Sequence, residues 1–250
     1  MLNPDLQPFI DRLTSRSRLN DVEQQALRGL PAEVLQVDAH RDVVRLGQSV
    51  DHVCVVVDGI VARFGQNAEG ERQIIALHIA GDAPDLHLVV VPRDTAPLQA
   101  LSKTTIVRVS HADLRALAAR YPAIAEAFWR HCSVDAAITA QWVVNLGRRN
   151  AKTRIAHLLC EMAVRYNANA GGGEVIFPFP LTHTHISDAT GMTSVHVSRT
   201  IKALKEEGLA MLSERKVKIP DWGRLVKCGE FEAGYLQAGL RPGESLRIVG

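Results

Sequence analysis

The chain has 250 residues, 46% of them hydrophobic and 22% charged, with a formal net charge of +2. That length suits two domains, and the composition excludes a disordered or fibrous protein. No run reaches the roughly 18 apolar residues of a membrane span, and the opening MLNPDLQPFIDR lacks the basic-then-apolar pattern of a secretory signal, so no membrane partner is expected and the cytoplasm is the expected compartment.

Residues 1 to about 30 read as helical, with a leader helix around Pro8–Leu13 and another near Asp21–Leu30. Short β-type runs follow at Glu33–Asp38, Asp42–Arg45, His52–Asp58, Gly59–Gln66, Arg72–Ile79, Leu86–Val91, Leu98–Ser102 and Thr104–Ser110. Turn signals such as Asp58–Gly59, Asn67–Gly70 and Ala80–Asp82 separate them. Many short strands at regular spacing predict a small antiparallel barrel or jelly roll.

From His111 the period becomes helical, and Pro122 is placed to open a second, longer helix. Ile124, Phe128, Ile138, Trp142 and Leu146 recur as one apolar stripe, interrupted by His131 and Asp135, predicting a helix that meets a second copy of the chain, with packing inside the chain as the alternative. Leu146–Asn150 reads as a hinge, with Asn150 capping a helix over Ala151–Tyr166. A glycine-rich loop (168–173) and an edge strand (Glu174–Phe179) follow.

The most informative stretch is Pro180–Pro220. Thr182 can cap a short helix, Gly191 stands where the chain must turn sharply, and Thr193 can cap a second helix. Val197, Ile201 and Leu204 give that second helix a buried face, while Ser194, His196, Arg199, Lys202 and Lys205 supply a polar, cationic one. A hairpin follows, Met211–Ser213 with Lys216–Ile219, and Glu214 and Arg215 form its tip. This is the pattern of a winged helix-turn-helix, whose natural substrate is double-stranded DNA. Charge agrees: Arg148–Pro220 holds 11 Lys/Arg against 6 Asp/Glu, a net +5 that leaves −3 elsewhere. Asp221 can cap a last helix, Trp222–Cys228, and the remainder reads as a loosely packed tail.

Cysteines 54, 132, 160 and 228 stand far apart with no CxxC, so buried, reduced thiols are expected. His183-x-His185 lacks helical i, i+4 spacing and a third ligand, so no metal is expected there, nor any other cofactor.

With β-roll, long helix, hinge and winged helix-turn-helix in this order, the chain resembles the Crp/Fnr family of bacterial transcription regulators. The resemblance runs from about residue 20 to 230 and is carried by NAKTRIAHLL (150–159) and PLTHTHISDATGMTSVHVSRTIKALKEEGL (180–209). The ending with Asp221, Trp222, Leu225, Gly229, Phe231, Tyr235 and Leu236 is similar to a proteobacterial branch of the family. It implies an α+β chain of three parts: a cyclic-nucleotide-binding-like β-roll (1–120), a dimerisation helix and hinge (121–149), and a winged helix-turn-helix with tail (150–250). It also implies a homodimer on a pseudo-palindromic operator, with RNA polymerase as a further partner and no enzymatic activity.

By position, Arg199 resembles the family's base-reading arginine, able to donate twice to guanine O6 and N7. Thr182 and His183 stand where the family contacts phosphate, and Thr193, Ser194, Val195, His196, Lys202, Ser213, Arg215 and Lys216 complete the expected DNA-facing set. Many members have a glutamate just before the position of His196, which accepts from cytosine N4. Val195 cannot accept, so the expected operator departs there from the usual TGTGA or TTGAT half-site. In the β-roll, the cassette that holds a cyclic nucleotide has a ribose-binding glutamate and a phosphate-binding arginine. Laid from Gly81–Asp82, this sequence offers Leu86 and Ala96 at those places, with Arg93 as the nearest cation. A cyclic phosphate beside Ala96 would be left unpaired, so cyclic AMP is not the expected effector. A jelly-roll enzyme would need a His-x-His, a glutamate and a further histidine converging on a metal, which His78 and His87 do not supply; a ligand-binding interaction module is the remaining alternative.

Overall fold

Helices α1 (Gln7–Thr14) and α2 (Asp21–Arg28) open the chain, and α2 begins with a reciprocal capping box between Asn20 and Glu23. The computed structural model describes residues 4–91, 96–168, 173–237 and 247–249. Seven strands follow: β1 (Glu33–Val37), β2 (Asp42–Val44), β3 (His52–Asp58), β4 (Val61–Gln66), β5 (Arg72–His78), β6 (Leu98–Ala100) and β7 (Thr104–Ser110). They form two sheets, β1-β7-β3 and β2-β6-β4-β5.

The two-residue period of a strand explains why HVCVVVD is almost uncharged. Val53 and Val55 point to a core shared with α1 and α2, while Cys54 and Val56 point into a second core inside the roll. Strand β7 divides in the same way, with Val107 and Val109 on the first side and Ile106 on the second. In β3 both faces are therefore buried over Val53–Val56, and no polar alternation survives in that strand.

One expected strand is absent. Leu86–Val89 forms a short 3-10 helix, although its residues have high β propensity. Three of its four side chains, Leu86, Leu88 and Val89, are buried, and Leu88 N–H donates to the Asp85 carbonyl at 2.9 Å. Tertiary burial overrides local preference here.

Helix α3 (His111–Arg120) is capped by Ser110, and α4 (Pro122–Arg148) begins at the expected proline. The stripe expected to meet a second copy serves a different purpose. Ile124, Phe128, Ile138 and Trp142 are buried within the single chain, and Leu146 is half-buried. Periodicity had located a buried face, but its cover comes from the same polypeptide.

Beyond the hinge lie α5 (Ala151–Arg165), β8 (Val175–Pro178), α6 (His183–Thr190), α7 (Ser194–Glu206), β9 (Met211–Ser213), β10 (Lys216–Ile219) and α8 (Trp222–Gly229). Strands β8, β10 and β9 form one antiparallel sheet in that order. Among the described residues, 4–67 and 75–136 belong to one compact unit, and 68–74 and 137–237 to a second that holds the helix pair and wing. Residues 247–249 group with the N-terminal unit rather than with the winged one.

The segment expected to be a loose tail is also ordered after α8. Tyr235 and Leu236 lie in a 3-10 turn, Ala233–Leu236, and Leu236 is fully buried. The Tyr235 hydroxyl donates to Glu161 Oε2 at 3.0 Å, and Trp142 Nε1 donates to the same oxygen at 3.0 Å. Arg165, one turn along α5, pairs with the other carboxylate oxygen at 3.2 Å. Burial raises the Glu161 carboxyl above its ordinary range, opposed chiefly by the Arg165 charge and by the Trp142 and Tyr235 hydrogen bonds. Beside it, burial pushes the His157 imidazole down to about 4, so the ring is neutral. Its Nδ1 donates to the Gly229 carbonyl at 3.0 Å and its face stacks on Tyr235. Phe231 meets both rings edge-on.

Candidate nucleic-acid interface

The helix pair is set by its caps. Thr182 accepts from His185 N–H at 3.2 Å, and the His185 ring returns the bond to Thr182 N–H, so histidine takes the usual place of glutamate in a capping box. Gly191 ends α6 in the left-handed region, at φ 62°, where a side chain is disfavoured. Thr193 then caps α7 by accepting from His196 N–H at 3.3 Å.

Val197, Thr200 and Leu204 are the buried positions of α7. The opposite face exposes Ser194, Val195, His196, Ser198, Arg199 and Lys202. Val195 is 62% exposed, an unusual place for a β-branched apolar side chain on a helix end. Lys202 lies 3.7 Å from Glu206 with both side chains largely in water, a pairing too weak to hold it.

The wing stands next to this helix pair in the same unit. Glu214 and Arg215 at its tip both have positive φ, 50° and 61°, the backbone of a two-residue hairpin turn. The Arg215 carbonyl accepts from Phe179 N–H at 2.7 Å, which ties the tip to the strand entering α6. Between wing and α6 lies a groove of about 310 Å³ lined by residues 179–183 and 212–216. It brings together Thr182, His183, Ser213, Arg215 and Lys216, all exposed, at the N-terminal end of a helix, where backbone N–H groups favour an anion.

One residue that fixes this geometry was not singled out by sequence reasoning. The Arg154 guanidinium donates to the Asn145, Leu146 and Arg149 carbonyls at the end of α4, at 3.1, 2.7 and 3.0 Å. It also donates to the Thr190 carbonyl at the end of α6, at 2.6 Å. A single cation thus closes the C-terminal ends of two helices, where unsatisfied carbonyls concentrate negative potential. The signal lay in NAKTRIAHLL, but helical periodicity gives no hint of carbonyl partners supplied by other elements.

Three of the expected effector positions, Gly81, Asp82 and Leu86, belong to a packed wall. Gly81 N–H donates to the Val56 carbonyl and Val56 N–H to the Asp82 carbonyl, both at 2.9 Å. The Asp82 carboxylate accepts from Ile79 N–H at 2.8 Å and lies 3.4 Å from Arg12. Leu86 is buried in the core, Ala96 is half-buried, and Arg93 lies outside the described residues. Nearby Asp85 accepts from Cys54 N–H at 2.8 Å, and burial pushes its carboxyl up to about 6. Among the described residues no group of three or more His, Cys, Asp or Glu is placed to hold a metal, and no helix is long and apolar enough to cross a membrane.

A β-roll followed by a long helix and a winged helix-turn-helix defines a two-domain, DNA-binding transcription regulator. Residues 153–228 match the Crp-like helix-turn-helix domain, and residues 34–121 match the cyclic nucleotide-binding domain. The nitrogen fixation regulation protein FixK of Azorhizobium caulinodans is 30% identical over 175 residues, 70% of each chain. The transcriptional activator FnrL of Cereibacter sphaeroides is 27% identical over 76% of this chain and 77% of its own. The solved structure of FixK2 from Bradyrhizobium japonicum, 22% identical, superposes with a TM-score of 0.71 over 82% of this chain and all of that one. The chain belongs to the Crp/Fnr family of transcription regulators.

Proposed function

We propose that this regulator binds a pseudo-palindromic operator as a homodimer and reads it with the exposed face of α7. The observation that carries this reading is the convergence of Ser194, Val195, His196 and Arg199 on one free helix face beside a cationic groove at Arg215 and Lys216. Arg199 supplies guanine recognition, Val195 packs on a thymine methyl, and Thr182, His183, Thr193, Lys202, Ser213, Arg215 and Lys216 hold phosphates. The protein acts in the cytoplasm through DNA and RNA polymerase rather than through a chemical reaction of its own.

Selection of binding sites from random duplexes, followed by electrophoretic shift, tests this. The recovered half-site is expected to carry thymine where the usual half-sites place the pair read by glutamate. Val195→Glu should return the usual base there, changing the preference by roughly five- to a hundredfold. Recovery of TGTGA or TTGAT by the native chain would overturn the role given to Val195.

For the dimer, α4 offers a face opposite its buried stripe. Trp129, Ser133, Ala136, Ala140, Val143 and Gly147 are all exposed, and their alternating spacing of four and three keeps them on one side. Trp129 is 75% exposed and Val143 66%, while the small residues between them allow a second helix to approach closely. Ala140→Glu is expected to give a monomer by light scattering and to weaken operator binding at least tenfold. A dimer that survives this change would place the interface elsewhere.

The N-terminal unit does not bind cyclic AMP; it answers either to another signal or to none. Asp82 is committed to Arg12 and to backbone, and Leu86 fills core space where a ribose-binding carboxylate would have to stand. Titration calorimetry with cyclic AMP should show only heats of dilution; micromolar binding would refute this.

A further inference from the structure

The N-terminal unit carries two acidic side chains that its own helices and strands leave incompletely covered. Glu23 of α2 and Glu126 of α4 are only 5% and 8% exposed. Part of that cover is Arg247–Ile248–Val249, a segment more than 100 residues distant in sequence. Arg247 grips Glu23 with both ends of its guanidinium, at 3.0 and 3.1 Å. The same guanidinium touches the Arg18 carbonyl at 3.4 Å and the Val249 carbonyl at 3.0 Å. Ile248 and Val249 N–H both donate to Glu126 Oε2, at 2.9 and 3.3 Å. Val249 packs against the core formed by α1, α2 and α4.

We propose that the Glu23–Glu126 face is a peptide-receptor groove and that its resident ligand is the chain's own Arg247–Val249 segment. The recognition is of a definite kind: a forked cation on one carboxylate, two successive backbone N–H groups on another, and one apolar side chain two residues after the arginine. A short arginine-bearing peptide in extended form satisfies all three.

Two features make the segment a ligand rather than a fixed part of the core. Ile248 is 82% exposed and Val249 only half-buried, so little apolar area holds the segment down. Both carboxylates also keep a partner without it. Glu23 still accepts from Asn20 N–H at 2.8 Å, and Glu126 is still paired with Arg130, which in turn reaches Ser17. Departure of the segment lets water reach the carboxylates and leaves neither stranded in an apolar interior.

The test uses the full chain and a fluorescein-labelled, amide-capped peptide of residues 244–250, read by anisotropy, and does not depend on DNA reading. Wild type should capture little peptide, because the tethered segment competes at a millimolar-scale effective concentration. The Arg247→Glu chain should bind the native peptide at least tenfold better than wild type and should refuse a peptide carrying the same change. Glu23→Arg should reverse the preference, taking the changed peptide and refusing the native one. Thermal melting of each chain checks folding, and an unfolded Glu23→Arg chain is replaced by the double change Glu126→Gln with Arg247→Glu, which should bind the native peptide more weakly than Arg247→Glu alone. Equal capture by wild type and Arg247→Glu, or capture by neither, overturns the proposal. Wild-type capture that grows on dilution would assign the segment to a second copy and overturn occupancy in cis.

Discussion

Replacing Arg199 with alanine is expected to weaken binding to the selected operator by about 1–3 kcal/mol, roughly five- to more than a hundredfold, because a bidentate guanine contact is lost. Binding to unrelated duplex should fall far less, since one charge among several phosphate contacts is removed. The side chain is exposed on the outer face of α7, so the melting temperature should stay unchanged. Lys205→Ala, near the far end of the same helix, is the comparison: it should reduce affinity for all sequences alike and lower the salt dependence. An Arg199→Ala chain that keeps its preference between operator and random DNA would remove α7 from the reading role.

The second large effect is expected at Arg154. Arg154→Met keeps the aliphatic stem but leaves the Asn145, Leu146, Arg149 and Thr190 carbonyls without their shared donor. Losing a charge-assisted hub of this kind costs on the order of 3 kcal/mol. For a unit of this size that lowers the melting temperature by roughly 10–20 °C. Arg154→Lys should recover only part of the loss, because a point cation cannot serve the ends of two helices as a planar fork does. Operator affinity should fall with it, since the end of α6 fixes where α7 begins. Differential scanning calorimetry alongside electrophoretic shift separates the two consequences, and an unchanged melting transition would show the clamp to be dispensable.

Much of the winged unit was legible in the sequence because its determinants are local. Thr182, Gly191, Thr193 and Asp221 each act on backbone groups within three or four residues, and the structure places every one at the predicted helix end. The β-roll was legible through its turns and its runs of β-branched residues. Leu86–Val91 was not, because a β-rich run says nothing about the surroundings that fold it into a 3-10 turn. Trp142 shows the same limit on a helix. Its spacing marks a buried face, yet only the structure reveals the Glu161 carboxylate at its indole. Glu161, Arg165 and Tyr235 were unreadable for a related reason: a charged residue in a helix suggests solvent unless its distant partners are known. On the DNA-facing side, the structure leaves the residues singled out from sequence exposed on α6, α7 and the wing. Their contacts with bases and phosphates are what the substitutions above would measure.

The buried carboxylate of Glu161 has a consequence for how the protein is made. Two of its partners, Trp142 and Arg165, are close in sequence, but the third, the Tyr235 phenol, lies 74 residues later. At usual rates of about 5–20 residues per second, the nascent chain waits roughly 4 to 15 seconds for that partner. Gly229, which must also arrive, approaches so closely that a Cβ there would lie 2.8 Å from the His157 nitrogen. The winged unit therefore cannot close its core during synthesis of its own reading helix. Its completion is a late event, and a chaperone that shelters apolar helices would find its substrate in that interval.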